Sequence, residues 1–229
     1  MTTEPQYSCK SKNIKSQANP PAMNEIKILI VEDEPVIAQN ISMYLNNHDF
    51  VVSGIAYDYE EAIKELSHNT PDAVILDINL DENKDGIDIA HHINRYHQLP
   101  FLFLTSYSDK DTLERAKTVE PNGYIVKPFN ERTLLASLEI AISNFSHNKN
   151  KQVPDINLEK INKHLLSPLT DREFDVMKLI YQGNTNNQIA SSLFLSLNTV
   201  KVHLKNAYLK LDASSRTLAV ARLRELMMK

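Results

Sequence analysis

The sequence predicts an α/β protein, a doubly wound parallel sheet of five strands, followed by a small all-α unit of four helices. Three observations carry that expectation. Between Glu25 and Ser146, five short apolar runs (IKILIV, VVSGIA, AVIL, FLFL and YIV) alternate with segments of helical period. The runs are largely apolar instead of apolar at every second residue, which marks strands buried on both faces, and strict strand–helix alternation calls for parallel crossovers. From Pro168 onward only the helical period remains.

Residues 1–24 hold three prolines and many Lys, Ser, Asn and Gln, too little apolar material for a core, and read as a disordered tail. IKILIV then opens the sheet and a helix is expected over 35–47. VVSGIA is followed by a helix over 59–68, AVIL by one over 87–98, FLFL by one over 109–119 and YIV by one over 130–146. Pro71, Pro100 and Pro121 each stand just before a strand, where a missing N–H costs little and the preceding helix must stop. Residues 147–167 are polar with scattered leucines and read as a linker containing some helix. In 168–229, Thr170-x-x-Glu173 and Thr185-x-x-Gln188 are capping boxes, Ser196 and Ser214 or Ser215 are further N-caps, and Gly183 ends the first helix. The expected organisation is therefore tail 1–24, α/β unit 25–146, linker 147–167 and helical unit 168–229.

Composition removes several classes. The 229 residues are 42% hydrophobic and 24% charged, with a mean hydropathy of -0.35, close to the globular average. No apolar stretch approaches the ~20 residues of a membrane span, and the polar N-terminus lacks a signal-peptide core, so a cytoplasmic location is expected. Cys9, the single cysteine, makes neither an internal disulfide nor a zinc cluster. Four scattered glycines, Gly54, Gly86, Gly123 and Gly183, are too few for a dinucleotide or P-loop phosphate cradle. The net charge of -4 hides an asymmetry: residues 25–146 carry 21 Asp/Glu against 9 Lys/Arg, whereas 168–229 carry 5 against 9. An acidic body with a basic end fits a nucleic-acid binder, although a solvated cationic face would look the same on charge alone.

Ligands of an open parallel sheet bind beyond the carboxyl ends of its strands. Those ends here are Glu32 and Asp33 on the first strand, Asp77 on the third, Thr105 and Ser106 on the fourth and Lys127 on the fifth. Three converging carboxylates repel one another unless they share a cation, and oxygen donors without His or Cys select a hard ion such as Mg²⁺. A hydroxyl and an ammonium added to that set would stabilise a phosphoryl group on a carboxylate nucleophile, with Asp77 central enough to be it. Each polar residue alone could simply end its strand; the four strand ends together have no such plain reading.

In the last segment, Val200, Leu204, Ala207 and Leu211 form the buried stripe of an amphipathic helix, and Asn198, Lys201, Val202 and Lys205 lie opposite. An exposed valine between two lysines has no folding reason, whereas in a major groove it meets a thymine methyl while the lysines reach guanine edges or phosphates. Ser196 caps this helix a tight turn after TNNQIASSLF, the arrangement of a helix-turn-helix.

VEDEP, ILDINL, FLTSYSD and GYIVKPF resemble, in order and spacing, the receiver domain of bacterial two-component response regulators, across about 120 residues. The resemblance implies a flavodoxin-like fold, Asp77 as phosphoacceptor, and Glu32, Asp33, Asp77 and the Asn79 backbone carbonyl as Mg²⁺ ligands. It further implies that Thr105 and Lys127 contact the phosphoryl group, that Tyr124 is the switch aromatic, and that Lys127-Pro128 is cis. Two departures stand out: NLDENKDG replaces the usual short proline-containing loop, and Tyr107 is large where water would approach an acyl phosphate. An aspartyl phosphohydrolase would need a second acid two residues after the nucleophile, and Asn79 does not serve.

Residues 169–219 look like the LuxR/FixJ-type helix-turn-helix, with Thr170, Glu173, Gly183, Ile189, Thr199, Val200, Lys201, His203 and Arg216 matching its pattern. By that resemblance Lys201, Val202 and Lys205 read base edges, while Asn206 and the helix start near Asn186 meet phosphates. Asn187 and Gln188 stand where the family often has Lys and Glu. The expected protein is a response regulator that receives phosphate from a sensor histidine kinase and binds double-stranded promoter DNA, as a homodimer when active. A phosphorylation-independent regulator is the alternative.

Overall fold

The structure is a computed structural model and describes residues 25–46, 50–80, 84–106, 110–150 and 156–228. The tail read over 1–24, Cys9, part of the NLDENKDG loop and Tyr107 lie outside the described residues. The five strands are β1 (Ile26–Val31), β2 (Phe50–Ala56), β3 (Ala73–Asp77), β4 (Phe101–Thr105) and β5 (Gly123–Val126). All four pairings are parallel and the order is β2-β1-β3-β4-β5, so the chain reverses direction across the sheet between β1 and β3. The crossovers are α1 (Pro35–Leu45), α2 (Tyr59–Asn69), α3 (Gly86–His92) and α4 (Lys110–Lys117), and α5 (Glu131–Asn150) follows the last strand.

Period-two alternation in strands that are apolar throughout sends side chains into two cores. Leu29 and Val31 of β1 join Val74, Leu76, Phe101 and Phe103 beneath α2 and α3. Ile26, Ile28 and Ile30 instead join Ala38, Ile41, Leu134 and Leu138 of α1 and α5. Helix ends depart from the expected spans for local reasons. The third helix turns π-helical over Ile93–His97, closed by Gln98 N–H to Ile93 carbonyl at 2.7 Å, because Pro100 forbids further helix. The fifth helix runs one turn past Ser146, since HNKN contains no breaker.

The C-terminal unit contains α6 (Leu158–Asn162), α7 (Asp171–Tyr181), α8 (Asn186–Leu193), α9 (Leu197–Leu211) and α10 (Arg216–Met228). Both capping boxes form, with Thr170 and Glu173 at α7 and Thr185 and Gln188 at α8, and Ser196 caps α9 through Thr199 N–H. Gly183 follows α7 with φ +88°. Val176, Met177, Ile180, Ile189, Val200, Leu204, Ala207 and Leu223 fill one core, and Ile156 and Ile161, from the stretch read as a linker, are buried in it too. No described helix is long and apolar enough to cross a membrane.

Candidate functional site

Asp77 is the last residue of the central strand β3, and Glu32 and Asp33 directly follow β1 beside it. Carboxylate oxygens of the three lie within 4.8 Å of one another. Glu32 and Asp77 are buried and Asp33 is half-buried. Lys127, one residue past β5, reaches across the sheet edge: its Nζ stands 2.7 Å from Asp77 Oδ2 and 2.8 Å from Glu32 Oε1. Asp77 Oδ1 accepts from Asn79 N–H at 3.2 Å. Thr105 ends β4 almost fully buried, and its carbonyl accepts from Lys127 N–H, which ties the two strand ends together. Lys127-Pro128 is cis.

Burial pushes the Glu32 carboxyl up to about 7, with the Asp77 charge adding to it and Lys127 opposing it. Burial alone would lower the Lys127 ammonium, but its hydrogen bonds to Asp77 and Glu32 outweigh that and raise it. Lys127 thus pairs with two of the three carboxylates, Glu32 and Asp77. Glu32 Oε2 lies 2.7 Å from Lys127 Nζ but outside hydrogen-bond geometry and is left as a buried acceptor without a hydrogen-bond partner. An all-oxygen set of three carboxylates gathered at one strand end suits a hard divalent cation with carboxylate and water ligands. The residues present fit Mg²⁺.

Gly86 contributes what sequence reasoning overlooked. It opens α3 with its N–H bonded to Ile78 carbonyl at 3.0 Å, and a Cβ there would lie 1.9 Å from the Asp77 carbonyl oxygen. The start of α3 closes back onto the end of β3 only because this position lacks a side chain. Tyr124, on β5, is 38% exposed, with its ring 5.9 Å from that of Phe103.

In the C-terminal unit, Val200, Leu204, Ala207 and Leu211 of α9 are buried, as the stripe requires. Val202 is 57% exposed, Lys205 and Asn206 are exposed, and Lys201 is half-buried. Asn186 behaves differently from expectation. It is 1% exposed at the first turn of α8, so its side chain faces the core; Asn187, the next residue, is exposed instead. The capping box fixes where α8 starts but not which side of its first turn is inside.

A doubly wound sheet with an acidic cluster and a lysine at its carboxyl edge, joined to a helix-turn-helix with an exposed second helix, defines a signal-responsive DNA-binding regulator. Residues 28–139 match the response regulator receiver domain, and residues 167–223 match the luxR family of bacterial regulatory proteins. The response regulator protein VraR of Staphylococcus aureus strain Mu3 is 30% identical over 202 residues, covering 85% of this chain and 94% of that protein. Among solved structures, the signal receiver domain of a modulated diguanylate cyclase from Desulfovibrio desulfuricans G20 is 34% identical with a TM-score of 0.51, over 53% of this chain and 97% of that one. The N-terminal domain of a response regulator/sensory box/GGDEF protein from Carboxydothermus hydrogenoformans is likewise 34% identical, with a TM-score of 0.50, over 54% and 98%. The chain belongs to the response regulators with a luxR-type output domain and is a two-component transcriptional regulator.

Proposed function

We propose that Asp77 is the phosphoacceptor of a cytoplasmic receiver spanning 25–146, and that a sensor histidine kinase is its donor. The observation that carries this is the convergence of Asp77 with Glu32, Asp33 and Lys127 at one buried strand end. An Asp77 carboxylate oxygen attacks phosphorus in line; the new O–P bond forms as the donor's N–P bond breaks, and the electron pair leaves on the imidazole nitrogen. Glu32, Asp33, Asp77 and the Asn79 carbonyl would hold Mg²⁺, which supplies charge neutralisation for the transferring phosphoryl group. Lys127 Nζ and the Thr105 hydroxyl donate to the phosphoryl oxygens, and Tyr124 changes its exposure as Thr105 moves. Residues 147–167 connect this unit to a DNA-binding unit over 168–229.

In that unit Lys201, Val202 and Lys205 read base edges in the major groove of promoter DNA, while Asn206 and, at the start of α8, Asn187 in place of Asn186 meet phosphates. One helix-turn-helix buries only ~600–1,000 Å² on DNA, so a homodimer on two half-sites supplies the specificity. Acetyl phosphate with Mg²⁺ should label the protein with one acid-stable, alkali-labile phosphoryl group. Asp77→Asn should remove it and EDTA suppress it. Full labelling of the Asn variant would place the phosphoacceptor elsewhere, and no labelling of the wild type by any donor would favour phosphorylation-independent regulation.

A further inference from the structure

The receiver and the DNA-binding unit touch at the edge of the sheet opposite the phosphoacceptor. Asp72, just before β3, is 4% exposed, and its Oδ1 accepts from Thr217 N–H at 2.9 Å and from the Thr217 hydroxyl at 2.8 Å. Its Oδ2 accepts from Lys27 N–H at 3.1 Å, which anchors the carboxylate to β1. Thr217 is the second residue of α10, so a receiver side chain satisfies one of the free N–H groups that open a helix of the other unit and places a negative charge at its positive end. Ser215, the helix's own cap, takes a different N–H, that of Leu218. Next in the chain, Arg216 is buried and donates to the Asn184 carbonyl at 2.6 Å, so the α10 start is fixed within its own unit as well.

A second contact lies on α5. A Cβ on Gly183 would stand 2.6 Å from Ser146 Cβ, so the turn after α7 lies directly against the receiver's last helix. Between the two contacts lies a cavity of about 430 Å³ whose walls include Ile26, Pro100, Phe145, Val220 and Arg224. Among the described residues, the junction combines these directed contacts with a gap lined by both units.

With these contacts in place Val202 is 57% exposed, Lys205 and Asn206 are exposed and Lys201 is half-buried. The contact does not cover the recognition face. It also sits at the amino end of β3, with the whole strand between it and Asp77 at the carboxyl end, and it shares no residue with the acidic cluster.

We propose that Asp72 is a positioning residue for DNA binding: by bracing α10 against the receiver in both phosphorylation states, it makes each protomer one rigid body and so fixes the spacing and phase of the two half-sites a dimer accepts. The inference rests on the reading of α9 as the recognition helix. Two rigid protomers joined through their receivers present recognition helices at one separation, whereas units on a free tether reach many.

The test uses the full chain, treated with acetyl phosphate and Mg²⁺, on duplexes carrying two copies of a selected half-site with spacers lengthened in single base pairs. Wild type should lose about a hundredfold in affinity when about 5 bp rotate one half-site to the opposite face, and should recover near a full turn of about 10 bp. Asp72→Ala removes the brace but also strands the Lys27 N–H. It is therefore paired with Ser146→Trp, which leaves the sheet edge intact and wedges the units apart at Gly183. Each variant should bind all spacings within about threefold of one another, the behaviour of two independently tethered sites. A wild-type profile in Ser146→Trp, a flat profile in the wild type, or a rise in single-half-site affinity in either variant would overturn the brace. Wild-type binding by Lys201→Ala and Lys205→Ala would instead overturn the recognition helix, a separate result.

Discussion

A methyl group on Gly86 would meet the Asp77 carbonyl oxygen at 1.9 Å and its carbon at 2.9 Å, both backbone atoms, so no rotamer change relieves the clash. Gly86→Ala should cost about 1–3 kcal/mol, as overpacking does, and slow acetyl phosphate labelling by displacing Asp77. An unchanged urea midpoint and labelling rate would show that the loop gives way freely. Lys127 is held by two buried carboxylates. Lys127→Met leaves them uncompensated, a loss of about 3–5 kcal/mol in EDTA. Because a divalent cation can replace the missing charge, Mg²⁺ should raise the melting temperature of the variant more than that of the wild type; an equal rise would argue against a cation shared by these carboxylates. The residues that meet here were legible because parallel strands deliver their carboxyl ends to one edge, and the sequence names the residue at each end. Gly86, Asn186 and Asp72 were not legible as they act, because a close backbone approach, an inward-facing first turn and a contact across 145 residues depend on packing that no local pattern records.

Helix α7 illustrates how a capping motif becomes a tertiary link. Glu173 is both the third residue of the α7 capping box and the partner of Lys210 on α9, its Oε2 accepting from Thr170 N–H at 2.8 Å and Lys210 Nζ at 2.7 Å. Burial alone would raise this carboxyl, but Lys210 and the Thr170 groups outweigh it and hold it below its ordinary 4.5. A depressed folded-state value stabilises the native state above the ordinary carboxylate range, and that stabilisation disappears as pH falls through the lower folded value. Glu173→Gln should therefore lose about 1.5–3 kcal/mol at pH 7, with the gap to wild type narrowing below about pH 4.5. A gap of constant size down to pH 3 would mean that the charge contributes nothing. On α9, the lysines and the valine separate by salt. Lys201→Ala or Lys205→Ala should flatten the salt dependence of log K by ~1 if the lysine neutralises a phosphate, and should cost about 1–3 kcal/mol at one base pair if it reads an edge. Val202→Ala removes no charge and should relax a thymine preference at unchanged salt slope. Wild-type affinity and slope in all three would move recognition off this helix. The capping box announced the start of α7 in the sequence; its pairing with a lysine 37 residues on did not show, since Lys210 reads as an ordinary surface residue.

At the scale of the whole molecule, the cores on the two faces of the sheet share no residue with the core of the helical unit, and among the described residues the units meet at Asp72 with Thr217 and at Ser146 with Gly183. The alternation of apolar runs with helical segments made the first unit readable, and the change to helical period alone made the second readable. What joins them did not follow, because the joining residues are a strand-start Asp, a helix-start Thr and a turn Gly, each with an adequate local role. Cooperativity depends on how much surface two units bury together, and a few hydrogen bonds beside a cavity are too little to merge two cores into one transition. Calorimetry of the full chain should accordingly resolve two unfolding transitions. A ligand that binds only the native form of one unit stabilises that unit by about 2.7 kcal/mol at a hundredfold excess over its dissociation constant. In a unit of about 60 residues this corresponds to a rise of roughly 10 °C or more. A selected DNA duplex should thus raise one transition, and Mg²⁺ with the phosphoryl mimic beryllofluoride the other, each leaving its neighbour within a few degrees. One transition that moves as a whole with either ligand would show instead that the receiver and the DNA-binding unit fold as a single cooperative body.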